Sequence, residues 1–357
     1  MQRTALYQLQ VALGGRFVDF AGWEMPVQFA GILAEHQAVR SACGLFDLGH
    51  MGRLRLQGPA ALDFLDSEIC RPLSGMRPGQ VRYGLICEDD GGVVDDVLVS
   101  CEGPESYHVV VNASNLATVR GRWQQAAAAG LEIEDLSQVQ QMIALQGPQS
   151  VPMLKQLGIE LPPLRTYHFT DLHWRGHALR LSRTGYTGED GFECFASASA
   201  LEVLWSAFIS AGVQPCGLGA RDLLRLEAGM PLYGHELDRQ HSPVEAGLRF
   251  AVGSSGSYRG HLVLQRQLQE GTPRRLVGLD IPGKRPAREG YAVLHQGAEV
   301  GVVTSGGFSP LRQAGVAMAY VPSQLAEPGQ ELQISLRGKA EVPATVVPLP
   351  FYRRPKS

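Results

Sequence analysis

The sequence predicts an α+β chain with antiparallel sheets that closes with a small all-β barrel. Three observations predict it. Short apolar strands alternate with helical patterns over most of the chain. A strong hairpin signal, Asp90-Gly91-Gly92, sits between two apolar runs. Beyond the polar, turn-rich stretch LQEGTPRR (268–275), six short strands follow one another, separated by turns.

In chain order, AGILAEHQAVRSAC (30–43) has apolar positions at helical spacing, and Gly44 provides its stop. LFDLGHMGRLRLQG reads as a turn plus a strand, and GPAALDFLDSE (58–68) as a short amphipathic helix. GLICEDDGGVVDDVLVS (84–100) reads strand, turn, strand; SYHVVVNAS (106–114) is a further strand, and NLATVRGRWQQAAAAG (115–130) a helix ended by Gly. After residue 140, QMIALQGP and ALRLSRTGYTGEDGFECFA are strand-like, 199–212 is a helix, and RDLLRLEAG within 219–234 is another. VGLDI, YAVLHQ, EVGVVTSG, GVAMAYV, ELQISLRG and EVPATVV supply the barrel strands. The 268–275 stretch is the domain boundary: residues 1–267 precede it and 274–357 form the barrel.

The 357 residues suffice for two or three domains, and 44% hydrophobic with 19% charged residues is a globular enzyme's composition. A net charge of -3 argues against nucleic acid as partner. No apolar run approaches the about eighteen residues a membrane span needs, and the N-terminus lacks a signal-peptide core, so a cytoplasmic location is expected. The six cysteines show no short metal-site spacing and are read as reduced, mostly buried thiols.

Several motifs fail. GLDIPGKR (278–285) has Arg285 where a phosphate loop needs Ser or Thr, and Pro282 and Pro286 forbid the helix that follows such a loop. CGLGARD (216–222) carries two of the three glycines of a dinucleotide fingerprint. His173 and His177 have the spacing of a helical metal pair, yet their segment is strand-like and no general-base Glu follows His173. No metal site is expected. A Gly-x-Ser-x-Gly elbow is absent as well.

Three constellations carry chemistry. Asp95 and Asp96 are consecutive in a strand and so face opposite ways; they are either a solvated pair at a hairpin edge or one solvated acid and one in a cleft. RTGYTGEDGFE (183–193) is either a turn or a site loop, with Glu193 an acid at the start of an apolar strand. Arg221, in the first turn of its helix, opposes the helix dipole; it is either an exposed charge or the partner of an acid or a ligand.

FAGWEMPVQF (20–29), LFDLGHM (45–51), GGVVDDVLV (91–99), VVVNASN (109–115), ALQGP (144–148), GYTGEDGFE (185–193), GLGARDLLRLEAGMPLYG (217–234), TSGGFSP (304–310) and PFYRR (350–354) occur in this order. Together they resemble the aminomethyltransferase (T-protein) family of the glycine cleavage system over essentially the whole chain. The resemblance implies a three-lobed ring with folate in a central hole. Two interleaved α+β lobes, roughly 1–50 plus 136–267 and 51–135, would be followed by the C-terminal barrel. It implies transfer of the methylene carbon of a lipoyl-bound aminomethyl group to tetrahydrofolate in glycine catabolism, with ammonia released and a lipoylated carrier (H-protein) as partner.

By the same resemblance Asp96, the second acid of GGVVDDV, is the catalytic aspartate. Glu193 and Arg221 match folate-binding positions, and Arg354 a further one. Met51, Tyr83, Asn112 and Tyr186 line the pocket. The chemistry suits these types. A carboxylate presents two acceptors to the adjacent ring N–H and amino donors of a pterin, and Arg221 is expected to hold Glu193 in place. Asp96 would stabilise positive charge on nitrogen and help move the proton needed when ammonia leaves.

Two departures stand out: Gly49 replaces the usual Ser of FDxSHM, and NLATVRG lacks a usual Lys-Asp pair. Two rivals follow. A folate-dependent demethylase of a small methylated compound would keep the pterin pocket. A non-catalytic folate-binding iron–sulfur assembly protein would carry a Cys in the Gly-Tyr-Thr-Gly region, where this chain has Gly185 before Tyr186 and its nearest Cys at Cys194. A fused amine-dehydrogenase module is disfavoured because no flavin-binding half is present.

Overall fold

The computed structural model describes residues 1–336 and 340–355 and resolves into two compact units. The first comprises Met1–Asp66, Leu73–Gly84 and Asp96–Asp222; the second comprises Ser67–Pro72, Leu85–Asp95 and the chain from Leu223 onward.

A six-stranded sheet lies in the first unit, in the order Phe169–Trp174, His177–Ser182, Gly191–Ala196, Gln141–Gln146, Gly44–Asp47 and Gln214–Cys216. Its last pair is parallel and the other pairs antiparallel. Strand alternation decides its two faces. Phe192 and Cys194 enter a core with Ile143, Leu145 and Leu181, closed by Leu201, Leu204, Trp205 and Phe208 of helix Ala198–Ser210. Burying each of these large apolar side chains contributes about 1.5–3 kcal/mol. The Ser197 hydroxyl caps that helix by accepting from Ala200 N–H at 3.3 Å. Glu193 and Phe195 therefore project from the other face, where Phe195 meets the edge of His108 at 5.3 Å between ring centroids.

His108 belongs to a five-stranded sheet in the order Val81–Cys87, Val93–Gly103, Ser106–Val111, Gly52–Gln57 and Glu132–Asp135. Only the parts up to Gly84 and from Asp96 in its first two strands belong to the first unit. The half-buried Glu102–Arg180 ion pair and the Phe195–His108 contact press the two sheets together there.

The second unit contains a closed barrel, in the order Arg274–Ile281, Ala314–Pro322, Ala298–Ser309, Ala292–His295, Glu331–Leu336 and Ala340–Val347. The six strands anticipated from the sequence are present in the described residues; Arg337 and Gly338, the end of ELQISLRG, lie outside them. Its core is Leu279, Ile281, Val293, Ala317, Ala319 and Ile334, among others. Beside it lies a buried ion pair, Arg225 Nη1 to Glu236 Oε2 at 2.8 Å. The Glu236 carboxylate also accepts from the Leu232 N–H and the Thr304 hydroxyl, and Arg225 donates to Ser305 Oγ.

The Asp90-Gly91-Gly92 turn forms as expected: Gly91 N–H and Glu88 N–H bond back across it, and Gly91 has φ 89°. Three readings are corrected. LFD is itself strand (Gly44–Asp47), paired on both edges, because a fully buried strand loses the alternation that marks a half-buried one. ALRLSRTGYTGEDGFECFA is two strands, His177–Ser182 and Gly191–Ala196, with residues 183–190 a loop between them. Helix His261–Glu270 runs into the 268–275 stretch, whose turn is confined to 271–273. No helix among the described residues is long and apolar enough to cross a membrane. All six cysteines are buried and unbridged.

Candidate functional site

The first unit gathers six of the anticipated residues into two linked groups. One is built on Asp96, in strand Val93–Gly103. Asn112, directly after strand Ser106–Val111, donates its Nδ2 hydrogens to Asp96 Oδ1 at 2.8 Å and to the Asp96 carbonyl at 3.3 Å. The Tyr83 hydroxyl donates to Oδ2 at 3.1 Å. Burial raises the Asp96 carboxyl above the usual carboxylate range, and the bonds from Asn112 and Tyr83 offset part of that rise. Burial and the Asp96 charge push the Tyr83 phenol well up, so it stays protonated and donating.

The other group is built on Glu193, which is 4% exposed. The Thr184 hydroxyl donates to its Oε2, with Ser182 Oγ 3.0 Å behind. No hydrogen bond among the described residues reaches Glu193 Oε1. Burial raises the Glu193 carboxyl, with Thr184 and Arg221 acting against the rise. Arg221, in the first turn of helix Leu218–Glu227, lies with its guanidinium carbon 4.8 Å from the Tyr186 ring centroid. Burial lowers its pKa, and the Tyr186 and Glu193 charges oppose that. The helix start is pinned by Glu35, whose carboxylate accepts from Gly217 N–H at 2.8 Å, Phe29 N–H at 2.6 Å and Gly31 N–H at 3.1 Å.

The expected clamp of Arg221 on Glu193 does not form. No ion pair joins them among the described residues; they act on each other only through space, and the Thr184 hydroxyl holds the carboxylate instead. Tyr186 is the electrostatic neighbour the two groups share, acting on the titration of both Tyr83 and Arg221. Met51 immediately precedes Gly52, which pairs with Val111, and so stands level with Asn112. Asp95 is fully buried, which removes the reading of a solvated acid beside Asp96. Arg354 is exposed and belongs to the second unit. His173 and His177 face each other's neighbours across a hairpin, not along a helix.

Two further groups were not singled out from the sequence. Thr184 lies inside a quoted motif, yet a lone Thr in a loop gives no sign of its partner. His50, 3% exposed, packs against the edge of Phe20 at 5.5 Å between centroids. Burial and the charges of Arg221 and Arg53 push its pKa down to about 3, so it is a neutral imidazole.

Chemically, the arrangement offers one buried residue, Glu193, with a carboxylate oxygen that no described residue bonds, near a guanidinium that forms no ion pair among the described residues. It offers a second, half-buried carboxylate held by two donors, with Tyr186 as an electrostatic neighbour of both groups. A flat ligand with adjacent N–H donors fits the first, and proton transfer fits the second.

Residues 6–255 match the family model described as the GCVT N-terminal domain, and residues 274–353 match the glycine cleavage T-protein C-terminal barrel domain. The aminomethyltransferase of Geobacillus kaustophilus is 43% identical over 364 residues, covering 100% of both chains. That of Rubrobacter xylanophilus is 45% identical, over 100% of this chain and 96% of its own. The crystal structure of glycine cleavage system aminomethyltransferase T from Bartonella henselae superposes with a TM-score of 0.93 at 32% identity, covering 98% of each chain. By sequence and by fold, this chain belongs to the glycine cleavage T-protein family and is an aminomethyltransferase.

Proposed function

We propose that the chain moves the methylene carbon of an aminomethyl group, presented on a lipoylated carrier protein, to tetrahydrofolate, with release of ammonia. The observation that carries this reading is the vacant Oε1 of the buried Glu193. That oxygen keeps contact with solvent, so it is open to the adjacent N–H and amino donors of a pterin, which a carboxylate can accept as a pair. Arg221 acts on that carboxylate and lies against the Tyr186 ring: the guanidinium suits the pterin's carbonyl oxygen, and the ring offers a stacking face. Met51 lines the same pocket, and Arg354 enters on the family pattern alone.

Asp96 is the catalytic group. Its carboxylate stabilises positive charge arising on nitrogen, and its raised pKa brings it nearer to exchanging a proton near neutrality. Asn112 and Tyr83 fix its two oxygens so that no reorganisation is needed when the charge appears. The folate-binding region is residues 1–267, in two interleaved lobes (1–50 with 136–267, and 51–135), and 274–357 is the barrel domain. The carrier is the H-protein of the glycine cleavage system. The cytoplasm is the proposed compartment, which six unbridged cysteines support.

The test mixes the protein with tetrahydrofolate and an aminomethyl-loaded lipoyl carrier and measures ammonia and 5,10-methylenetetrahydrofolate. Formation of both in equal amounts is expected. Demethylation of a small methylated compound with no turnover of the loaded carrier would replace this reading with the demethylase.

A further inference from the structure

Tyr186 rides on the loop of residues 183–190, and one buried side chain is bonded on both sides of it. Gln146, at the end of strand Gln141–Gln146, is 1% exposed. Its Nε2 donates to the Thr184 carbonyl at 3.1 Å, and its Oε1 accepts from the Thr187 hydroxyl at 2.9 Å. Both ends of the amide are thus used across residues 184–187, with Tyr186 between the two attachment points.

The backbone makes room for this amide. A Cβ at Gly185 would stand 2.0 Å from Gln146 Oε1, and one at Gly191 would stand 2.6 Å from Nε2. Gly185 admits the amide against bare backbone, and Gly191 leaves room for both the amide and the Leu145 carbonyl, 2.5 Å from where its Cβ would stand. Other contacts fix the loop elsewhere. Arg183 and Asp190 form a two-pronged pair at its neck. Arg40, from helix Ile32–Ser41, donates to the Thr187 carbonyl at 2.7 Å and to Glu189 at 2.9 Å.

Two site relationships depend on where residues 184–187 lie. The Thr184 hydroxyl must reach Glu193 Oε2, and the Tyr186 ring must lie against the Arg221 guanidinium. We propose that Gln146 is a positioning residue for the pterin site. By bracing residues 184 and 187 it sets both the orientation of the Glu193 carboxylate and the place of the Tyr186 ring, without touching substrate. The inference rests on the folate reading above and deepens it: part of the affinity for reduced folate resides in an amide behind the pocket wall.

The experiment compares the full-length protein with Gln146→Met, Thr187→Val and Glu193→Gln. It measures tetrahydrofolate affinity by calorimetry, the steady-state KM for tetrahydrofolate, kcat, and the melting temperature. Gln146→Met keeps the length of the side chain and removes both bonds; Thr187→Val removes one of them, together with the 3.2 Å bond that Thr187 Oγ1 accepts from the Glu189 N–H. We expect Gln146→Met to raise Kd and KM for tetrahydrofolate at least about tenfold with kcat changed less than about threefold, and Thr187→Val to move the same way by a smaller factor. A purely structural role would lower the melting temperature and the active fraction while leaving KM unchanged. If Gln146→Met does not fold, Thr187→Val decides. Unchanged Kd and KM in the folded variants, while Glu193→Gln weakens binding, overturns the role of Gln146 and leaves the folate reading standing. No uptake of tetrahydrofolate by the unmodified protein overturns both.

Discussion

The Asn112 amide lies 2.8 Å from Asp96 Oδ1, as a donor to the one carboxylate in the site that is held from both sides. This bond counteracts burial, which on its own drives the Asp96 carboxyl upward. Replacing Asn112 by Leu removes the counterweight, so the Asp96 pKa rises further. Activity that needs the ionised form is then lost at a higher pH on acidification. The acid limb of the kcat–pH profile should move upward in Asn112→Leu, and in the same direction in Tyr83→Phe. A limb that stays in place or moves down would show that Asp96 does not set it.

Asp96→Asn keeps the size of the side chain and removes its charge. Turnover should fall at least about a hundredfold, by analogy with the loss of a single preorganised electrostatic group, while tetrahydrofolate affinity stays within about threefold. Single-turnover ammonia release together with calorimetry separates the two effects. Near-normal turnover would end the catalytic assignment.

Glu193→Gln should weaken folate binding at least about tenfold, since a charged acceptor is exchanged for an amide that faces the ligand's donors with one NH2 group. Its effect on the free protein should run the opposite way. The folded-state pKa of Glu193 is raised, so the stability this group contributes is complete below its unfolded pKa of about 4.3 and is lost as pH rises through the folded value. The variant should therefore melt higher than the parent at pH about 7, with the gap closing towards pH about 4. Calorimetric scans across that range, without ligand, check the sign.

Arg225→Met strips the buried Glu236 of its cation while leaving the Leu232 N–H and Thr304 hydroxyl in place. An uncompensated buried carboxylate typically costs about 3–5 kcal/mol. Urea unfolding should show a loss of that order, and the double variant Arg225→Met/Glu236→Leu should recover most of it. A loss below about 1 kcal/mol in the single variant would mean that the hydrogen bonds alone carry the charge.

Much of this architecture was legible because the decisive signals are local. The Gly91 turn, the six barrel strands and the helix around residues 199–212 each follow from a few adjacent residues. Glu193 stood out for the same reason, as an acid between Phe192 and Cys194 in a strand that otherwise faces a core. The partners of the acids were less legible. Tyr83, Asn112 and Thr184 lie 13, 16 and 9 residues from the carboxylates they bond, and the folding of separate strands, not any spacing, brings them together. The burial of Asp95 was hidden because alternation assigns a side chain to a face and is silent on what covers that face. The expected Arg221–Glu193 bond failed for a related reason: complementary charges in two motifs do not fix which groups touch, and here a neutral hydroxyl occupies that position.

The six buried thiols give the chain an internal gauge of its own integrity. Burial drives Cys43 up to about 11 and raises Cys101, Cys194 and Cys216 as well, so at neutral pH these sulfurs are neither ionised nor open to attack. Alkylation by a water-borne maleimide therefore marks molecules that have opened. Counting modified sulfurs by mass spectrometry, peptide by peptide, would reveal which part of the chain opens first on heating.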